Sequence, residues 1–132
     1  DLDARHRQTL PTVIAGDFSA GPAAACIRYL SGLQSLGGRS THYHDAWAVA
    51  GSGPGHTWSA DNPNARAVME QIVRQPNHQR RIDYVFVGST RAHPHAQAEV
   101  RDATLAFNRP VDDVWLSDHF GVVVDLEVRR TN

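Results

Sequence analysis

From Phe120 to Val128 the chain alternates. Phe120, Val122, Val124, Leu126 and Val128 fall on one side of an extended segment, and Asp125 and Glu127 fall on the other. A period of two sustained over this length predicts a strand with one covered face, because side chains alternate across a pleated backbone. Ser117-Asp118-His119 stands immediately before it, placing a carboxylate beside an imidazole where the strand begins. Strand ends on a rigid scaffold are places where a chain presents chemistry, so this run bears on both fold and function.

The other elements are read around it. Pro11-Thr12-Val13-Ile14-Ala15 predicts a short buried strand that turns at Gly16-Asp17. From Pro22 to Leu36, helical spacing of Ile27, Leu30 and Leu33 with Ala23 and Cys26 predicts a helix that Gly37-Gly38 stops. Tyr43 to Val49 fits a helical turn or an extended segment, and the glycines from Gly51 to Gly55 force a loop. His56-Thr57-Trp58 reads as a short strand, Asp61-Asn62-Pro63-Asn64 as a turn, and Ala65 to Arg74 as a helix turning Val68, Met69 and Ile72 inward and ended by Pro76. Arg81 to Gly88 has apolar residues on both faces, which predicts a central strand, whereas Ala98 to Phe107 alternates only imperfectly. Without repeats, low-complexity tracts or linkers, the economical reading is one α/β unit.

Composition excludes several classes. At 132 residues, 41% hydrophobic and 20% charged, the chain has the balance of a folded domain rather than a disordered one. It has no apolar run long enough to cross a bilayer as a helix. Thirteen basic and 14 acidic residues leave a formal charge of -1, which provides no field to attract a polyanion and weighs against a dedicated DNA binder. The lone Cys26, in an alanine-rich segment, excludes an intrachain disulfide and reads as a small buried hydrophobe. The opening residues show neither an initiator methionine nor a targeting pattern, so compartment stays open.

Asp83 is the residue hardest to explain structurally. A carboxylate on a strand that otherwise reads as buried needs a partner. Arg80 or Arg81 can supply an ion pair; His119 can supply a hydrogen bond, if the two strands meet at one end of a sheet. Gly16-Asp17 is read equally well as a plain turn. Asp118 has no following helix to cap, and its oxygens suit Mg²⁺, which favours carboxylates, water and substrate phosphate. Three carboxylates and a histidine at one sheet edge would combine water activation, cation binding and proton donation, the requirements of phosphoester hydrolysis.

Gly16-Asp17-Phe18-Ser19, Thr57-Trp58, Arg81-Ile82-Asp83-Tyr84 and Ser117-Asp118-His119-Phe120, in this order, resemble the C-terminal motifs of the endonuclease/exonuclease/phosphatase superfamily. That superfamily includes pancreatic deoxyribonuclease, abasic-site endonucleases, sphingomyelinases and inositol polyphosphate phosphatases. The resemblance spans Pro11 to Val128. It implies a deoxyribonuclease-I-like α/β fold, with this chain as the C-terminal part of a two-sheet, four-layer sandwich of mainly antiparallel or mixed strands. Residues 1–132 would form a partial domain. The family's N-terminal half, with its asparagine, metal-binding glutamate and second histidine, would be the missing partner. The fragment alone is then expected to be inactive, to expose an apolar sheet face, and to associate.

The resemblance also implies metal-dependent hydrolysis of a phosphodiester or phosphomonoester, with Mg²⁺ as cofactor and Mn²⁺ as a substitute. The substrate would be a nucleic acid, a phospholipid head group or a small molecule. Asp17 would position or deprotonate the attacking water, Asp83 would orient the catalytic His119, and Asp118 would serve the metal. Ser19, Thr57, Trp58 and Asn62 would lie on the substrate side. Ser19 departs from the asparagine usual in the family, and its hydroxyl has a shorter reach. The competing reading is a non-catalytic sandwich-type module or a degenerate fragment.

Other polar residues have plainer explanations. His42-Tyr43-His44 and His93-Pro94-His95 space two rings so that they share a side of an extended chain, but without a third ligand they read as solvated loop histidines. Trp47 and Trp115 read as rim packing. Arg80-Arg81 reads either as a phosphate contact or as an offset for nearby carboxylates.

Overall fold

The computed structural model describes residues 10–75, 77–89 and 96–130. His93, His95, Pro76 and the opening Asp1-Leu2-Asp3 lie outside them. The strands are β1 (Val13–Asp17), β2 (Tyr43–Asp45), β3 (Trp58–Ser59), β4 (Gln79–Arg80), β5 (Asp83–Gly88), β6 (Ala96–Ala106) and β7 (Gly121–Arg130). The helices are α1 (Ala25–Leu30), α2 (Ala46–Ala50) and α3 (Pro63–Val68), the last continuing into a π-helical turn at Met69–Val73. The described residues thus form a mixed α/β fold with antiparallel ladders. No helix among them is long and apolar enough to cross a membrane.

β5 is central, in a three-stranded sheet of order β1-β5-β2. Its neighbours Phe86 and Val87 point to opposite faces and are both fully buried, which is why this segment reads as apolar on both sides. Ile14 pairs with Phe86, and Gly16 with Tyr84, on the face covered by α1. There Phe18 meets Tyr84 and Phe86 edge-on at 5.6 and 5.5 Å, and Ile27 closes the cluster. The opposite face carries Val13, Ala15 and Asp17 on β1 against Val87, Val85 and Asp83 on β5. Val13 is 47% exposed there.

A second core lies beneath α3, where Trp58, Ala60, Ala65, Met69 and Ile82 are buried together. The short β3-β4 ladder forms its floor. β6 and β7 pair as a separate ladder with an irregularity between Val100 and Asp102. Arg101 reaches across this ladder to Glu127 and also meets Glu99. The alternation that predicts β7 is observed: Val122, Val124 and Leu126 are partly covered, while Val123, Asp125 and Glu127 are exposed. α2 lies against β5 and β6 and brings Trp47 inside.

Several expectations need correction, beginning with β1, which is expected to be buried but leaves Val13, Ala15, Gly16 and Asp17 exposed. The helix expected from Pro22 to Leu36 occupies only Ala25–Leu30, because Gly32, with φ of 76°, breaks it before Gly37-Gly38. Leu33 and Leu36 are left exposed, and Gly32 is held where a Cβ would sit 2.7 Å from the His42 ring. The second helix begins earlier than expected, at Pro63, because Asn62 caps it by accepting from the Asn64 N–H at 3.0 Å. That start, together with the wider π-helical turn, buries Ala65 and Met69, packs the partly buried Val73 against them at the next step of four, and leaves Val68 and Ile72 outside. Cys26, expected inside, is exposed.

Trp47 is buried, not at a rim. Its Nε1 donates to the Gly53 carbonyl at 3.1 Å, and its ring occupies the space where side chains at Gly51 and Gly55 would begin. The glycine-rich loop therefore wraps an indole. Trp115 is half-buried and stacks on Phe120.

Candidate active site

Asp17 and Asp83 are the terminal pair of the β1-β5 ladder, directly opposite and on the same face. Such pairs hold their Cβ atoms about 5 Å apart, and like charges there repel. Gly16 precedes Asp17 with φ of 149°, a conformation disfavoured for any side-chain-bearing residue. Beyond it the Ser19 N–H donates to Asp17 Oδ1 at 2.7 Å, closing a tight turn that Arg80 secures by donating to the Ser19 carbonyl at 3.1 Å. Ser19 itself is left-handed, with φ of 49°.

His119 completes the group. Its Nδ1 lies 2.9 Å from Asp83 Oδ2, and one ligand atom from each of Asp17, Asp83 and His119 falls within 4.8 Å of the others. An ionised carboxylate only accepts, so Nδ1 carries the proton and Nε2 is left facing outward. Of the explanations open for Asp83, the imidazole is the one observed. Arg81 turns to the other face, where Nη1 meets both Asp45 oxygens at 3.0 and 2.8 Å. It also lies over the Tyr84 ring.

Asp118 stands beside this group rather than in it. Its Oδ2 is 4.0 Å from His119 Nε2, and its side chain is 46% exposed. Among the described residues, the set of three or more side chains able to hold one cation is Asp17, Asp83 and His119. Two carboxylates suit a hard divalent ion that completes its shell with water or phosphate oxygens. The imidazole is already committed to Asp83 through Nδ1.

Two residues expected on the substrate side are instead fully buried. Thr57 is 0% exposed, and its Oγ1 accepts from the backbone N–H groups of Ile82 at 3.1 Å and Asp83 at 3.2 Å. Its carbonyl accepts from Phe120 N–H at 2.7 Å, so one residue ties the start of β5 to the backbone next to His119. Asn62, also 0% exposed, donates through Nδ2 to the Ser117 carbonyl at 2.8 Å while capping α3. Ser117 in turn accepts from the His119 N–H at 3.1 Å. These side chains have no surface for a substrate; they position the loop and the strand that do. Their burial follows from the second core, which no local sequence signal reveals.

Trp58 is 9% exposed, with its ring centroid 6.3 Å from that of His119. It backs the imidazole as part of the α3 core. Ser19 is exposed at the turn, and its hydroxyl lies 3.4 Å from Asp17 Oδ1. Sequence reasoning missed Asp45 and the arginine sorting. Arg80 ends β4 and bonds to the Ser19 carbonyl, whereas Arg81 lies between β4 and β5 and bonds to Asp45.

Tyr84 supports the site from behind. Its hydroxyl lies 2.8 Å from the Ala20 carbonyl and 3.0 Å from that of Arg81. Burial pushes its pKa up to about 12, against a smaller opposing effect of the Arg81 charge. No family model, curated protein or solved structure matches the chain.

Proposed function

We propose that the chain contributes the histidine-aspartate half of a metal-dependent phosphoester hydrolase centre, as its resemblance to the endonuclease/exonuclease/phosphatase superfamily implies. The observation that carries this reading is the Asp83-His119 hydrogen bond of 2.9 Å with Asp17 directly across the ladder. A structural ion pair accounts for Asp83 and His119, and the turn to Ser19 for one oxygen of Asp17, but neither offsets the repulsion of two carboxylates directly opposite each other. A site that handles a cation, or a proton and a water, accounts for all three.

The roles follow from the geometry. Asp83 fixes the His119 ring through its Nδ1–H. With both ring nitrogens protonated, Nε2 donates a proton to an oxygen on phosphorus. Asp17, with Oδ1 held by the Ser19 N–H, keeps Oδ2 for orienting the attacking water and accepting its proton. The water oxygen bonds to phosphorus as the bond to the leaving oxygen breaks. Asp17 and Asp83 are the carboxylates that would hold Mg²⁺ or Mn²⁺, and such an ion, when bound, neutralises charge on the phosphoryl oxygens.

On this reading the exposed face of Val13 and Ala15 is where a second sheet of a four-layer sandwich would pack. The phosphate ester class is the substrate; the charge of -1 favours a small molecule or lipid head group over a nucleic acid.

The test is hydrolysis of bis(p-nitrophenyl) phosphate and p-nitrophenyl phosphate with Mg²⁺, comparing the natural full-length protein with its His119→Ala and Asp83→Asn variants. Turnover should fall by about 10² to 10⁴-fold in each variant while the fold persists. Turnover that is independent of both residues overturns the roles given to them, and turnover absent from the natural protein with every divalent ion tried favours the non-catalytic module instead.

A further inference from the structure

At the far end of the sheet face that carries Asp17 and Asp83 lies a second polar group. Tyr43 pairs with Gly88 and His44 with Val87, so His42 comes opposite Ser89, and the Ser89 N–H donates to the His42 carbonyl at 3.4 Å. By strand alternation His42, His44 and Ser89 share this face. Neither histidine is the solvated loop residue that its sequence suggests: both are partly buried. Two shielded polar atoms here, His42 Nδ1 and Ser89 Oγ, have no hydrogen-bond partner among the described residues. Ser89 is only 3% exposed. Buried polar atoms are rarely left unpaired in a native protein, and those that are call for a ligand, ion or water.

We propose that His42 and His44, with Ser89 opposite, form a second cation site that takes a transition-metal ion such as Zn²⁺ through imidazole nitrogens. The rings are edge to face with centroids 5.2 Å apart. Two imidazoles ligating one tetrahedral Zn²⁺ place their ring centres about 5 Å apart, so the existing spacing accommodates the ion with little movement. Water or the Ser89 hydroxyl completes the shell.

The donors also define selectivity. Asp45, the next residue along the strand, points to the opposite sheet face and is held by Arg81. A site of imidazoles without carboxylates favours Zn²⁺, Ni²⁺ or Cu²⁺ over Mg²⁺. The Asp17-Asp83 end has the reverse preference, so one sheet face would sort hard and borderline cations to its two ends.

The experiment is calorimetric titration of the 132-residue chain with Zn²⁺ and with Mg²⁺, alongside histidine ring NMR during Ni²⁺ addition. Expected are one equivalent of Zn²⁺ bound in the presence of excess Mg²⁺ and selective broadening of His42 and His44. His42→Gln and His44→Gln should each weaken Zn²⁺ at least about tenfold, while Asp83→Asn and the His93→Ala/His95→Ala double variant should not. Should either glutamine variant unfold, the broadening pattern of the unmodified chain decides alone. Broadening centred on His119 or on His93 and His95, or no Zn²⁺ uptake at millimolar metal, overturns the proposal.

Discussion

Replacing Thr57 by valine isolates what holds the dyad together. The substitution keeps shape and removes one oxygen, to which the N–H groups of Ile82 and Asp83 both donate. Each buried donor left unsatisfied costs about 1–3 kcal/mol, so Thr57→Val should lose about 2–6 kcal/mol. Thr57→Ser keeps the oxygen, loses one methyl, and should cost roughly 1 kcal/mol. For a chain of this size each kcal/mol moves the melting midpoint by about 4 °C. The valine variant should therefore melt about 8–24 °C lower and the serine variant about 4 °C lower. Whole domains are stable by only about 5–15 kcal/mol, so urea titration in the cold is the appropriate assay. The Asp83 amide should also exchange faster with solvent deuterium in the valine variant, and the downfield His119 Nδ1 proton should disappear. If valine and serine variants unfold at the same urea concentration, the two N–H groups do not depend on the hydroxyl and the clamp is wrongly assigned.

Four further outcomes are expected. Asp45→Asn should cost about 3–5 kcal/mol in urea titrations by stranding the buried Arg81 guanidinium. Asp45→Ala should cost about 1 kcal/mol more, because Asp45 Oδ1 also caps α2 through the N–H groups of Trp47 and Ala48. Tyr84, with its folded pKa raised to about 12 from 10.0, contributes stability that is complete below pH 10 and lost as pH rises towards 12. Ultraviolet titration should show Tyr84 ionising last among the tyrosines, and Tyr84→Phe should flatten stability across that window. Mg²⁺ at about ten times its dissociation constant should stabilise the chain by about 1.4 kcal/mol. Differential scanning calorimetry should register this, and Asp17→Asn should abolish it. Ser19→Asn should raise stability by about 0.5–1 kcal/mol in the same assay, since asparagine tolerates the left-handed backbone found there.

What could be read in advance depended on how locally each element is determined. β5 declares itself because both of its faces are apolar, and β7 because apolar residues recur at every second position from Val122 to Val128; neither needs knowledge of a partner. α1 and α3 were misjudged at their ends and inner faces because those depend on tertiary contacts. Gly32 ends α1 where it must also admit the His42 ring, and Asn62 fixes the start of α3 while bonding to Ser117, 55 residues away. A periodic apolar pattern states that a helix has an inner face. The cap and the π-helical turn decide which residues occupy it.

The site divides along the same line. Asp83 and His119 were recognisable as partners because a carboxylate on an otherwise buried strand demands one, and His119 stands where a second strand starts. Thr57 and Asn62 belong to the same constellation but act through backbone, and nothing in their local sequence distinguishes a hydroxyl that meets a phosphate from one that meets a peptide N–H. Burial makes that distinction: at 0% exposure both are enclosed by the core that also shelters Trp58. Asp17 and Ser19 remain exposed at the opposite side of the dyad. The resulting gradient has a chemical logic. On the proposed reading, the groups that would move protons or meet an ion face water, and those that set the His119-Asp83 distance are sealed from it, where competition from solvent cannot loosen their hydrogen bonds.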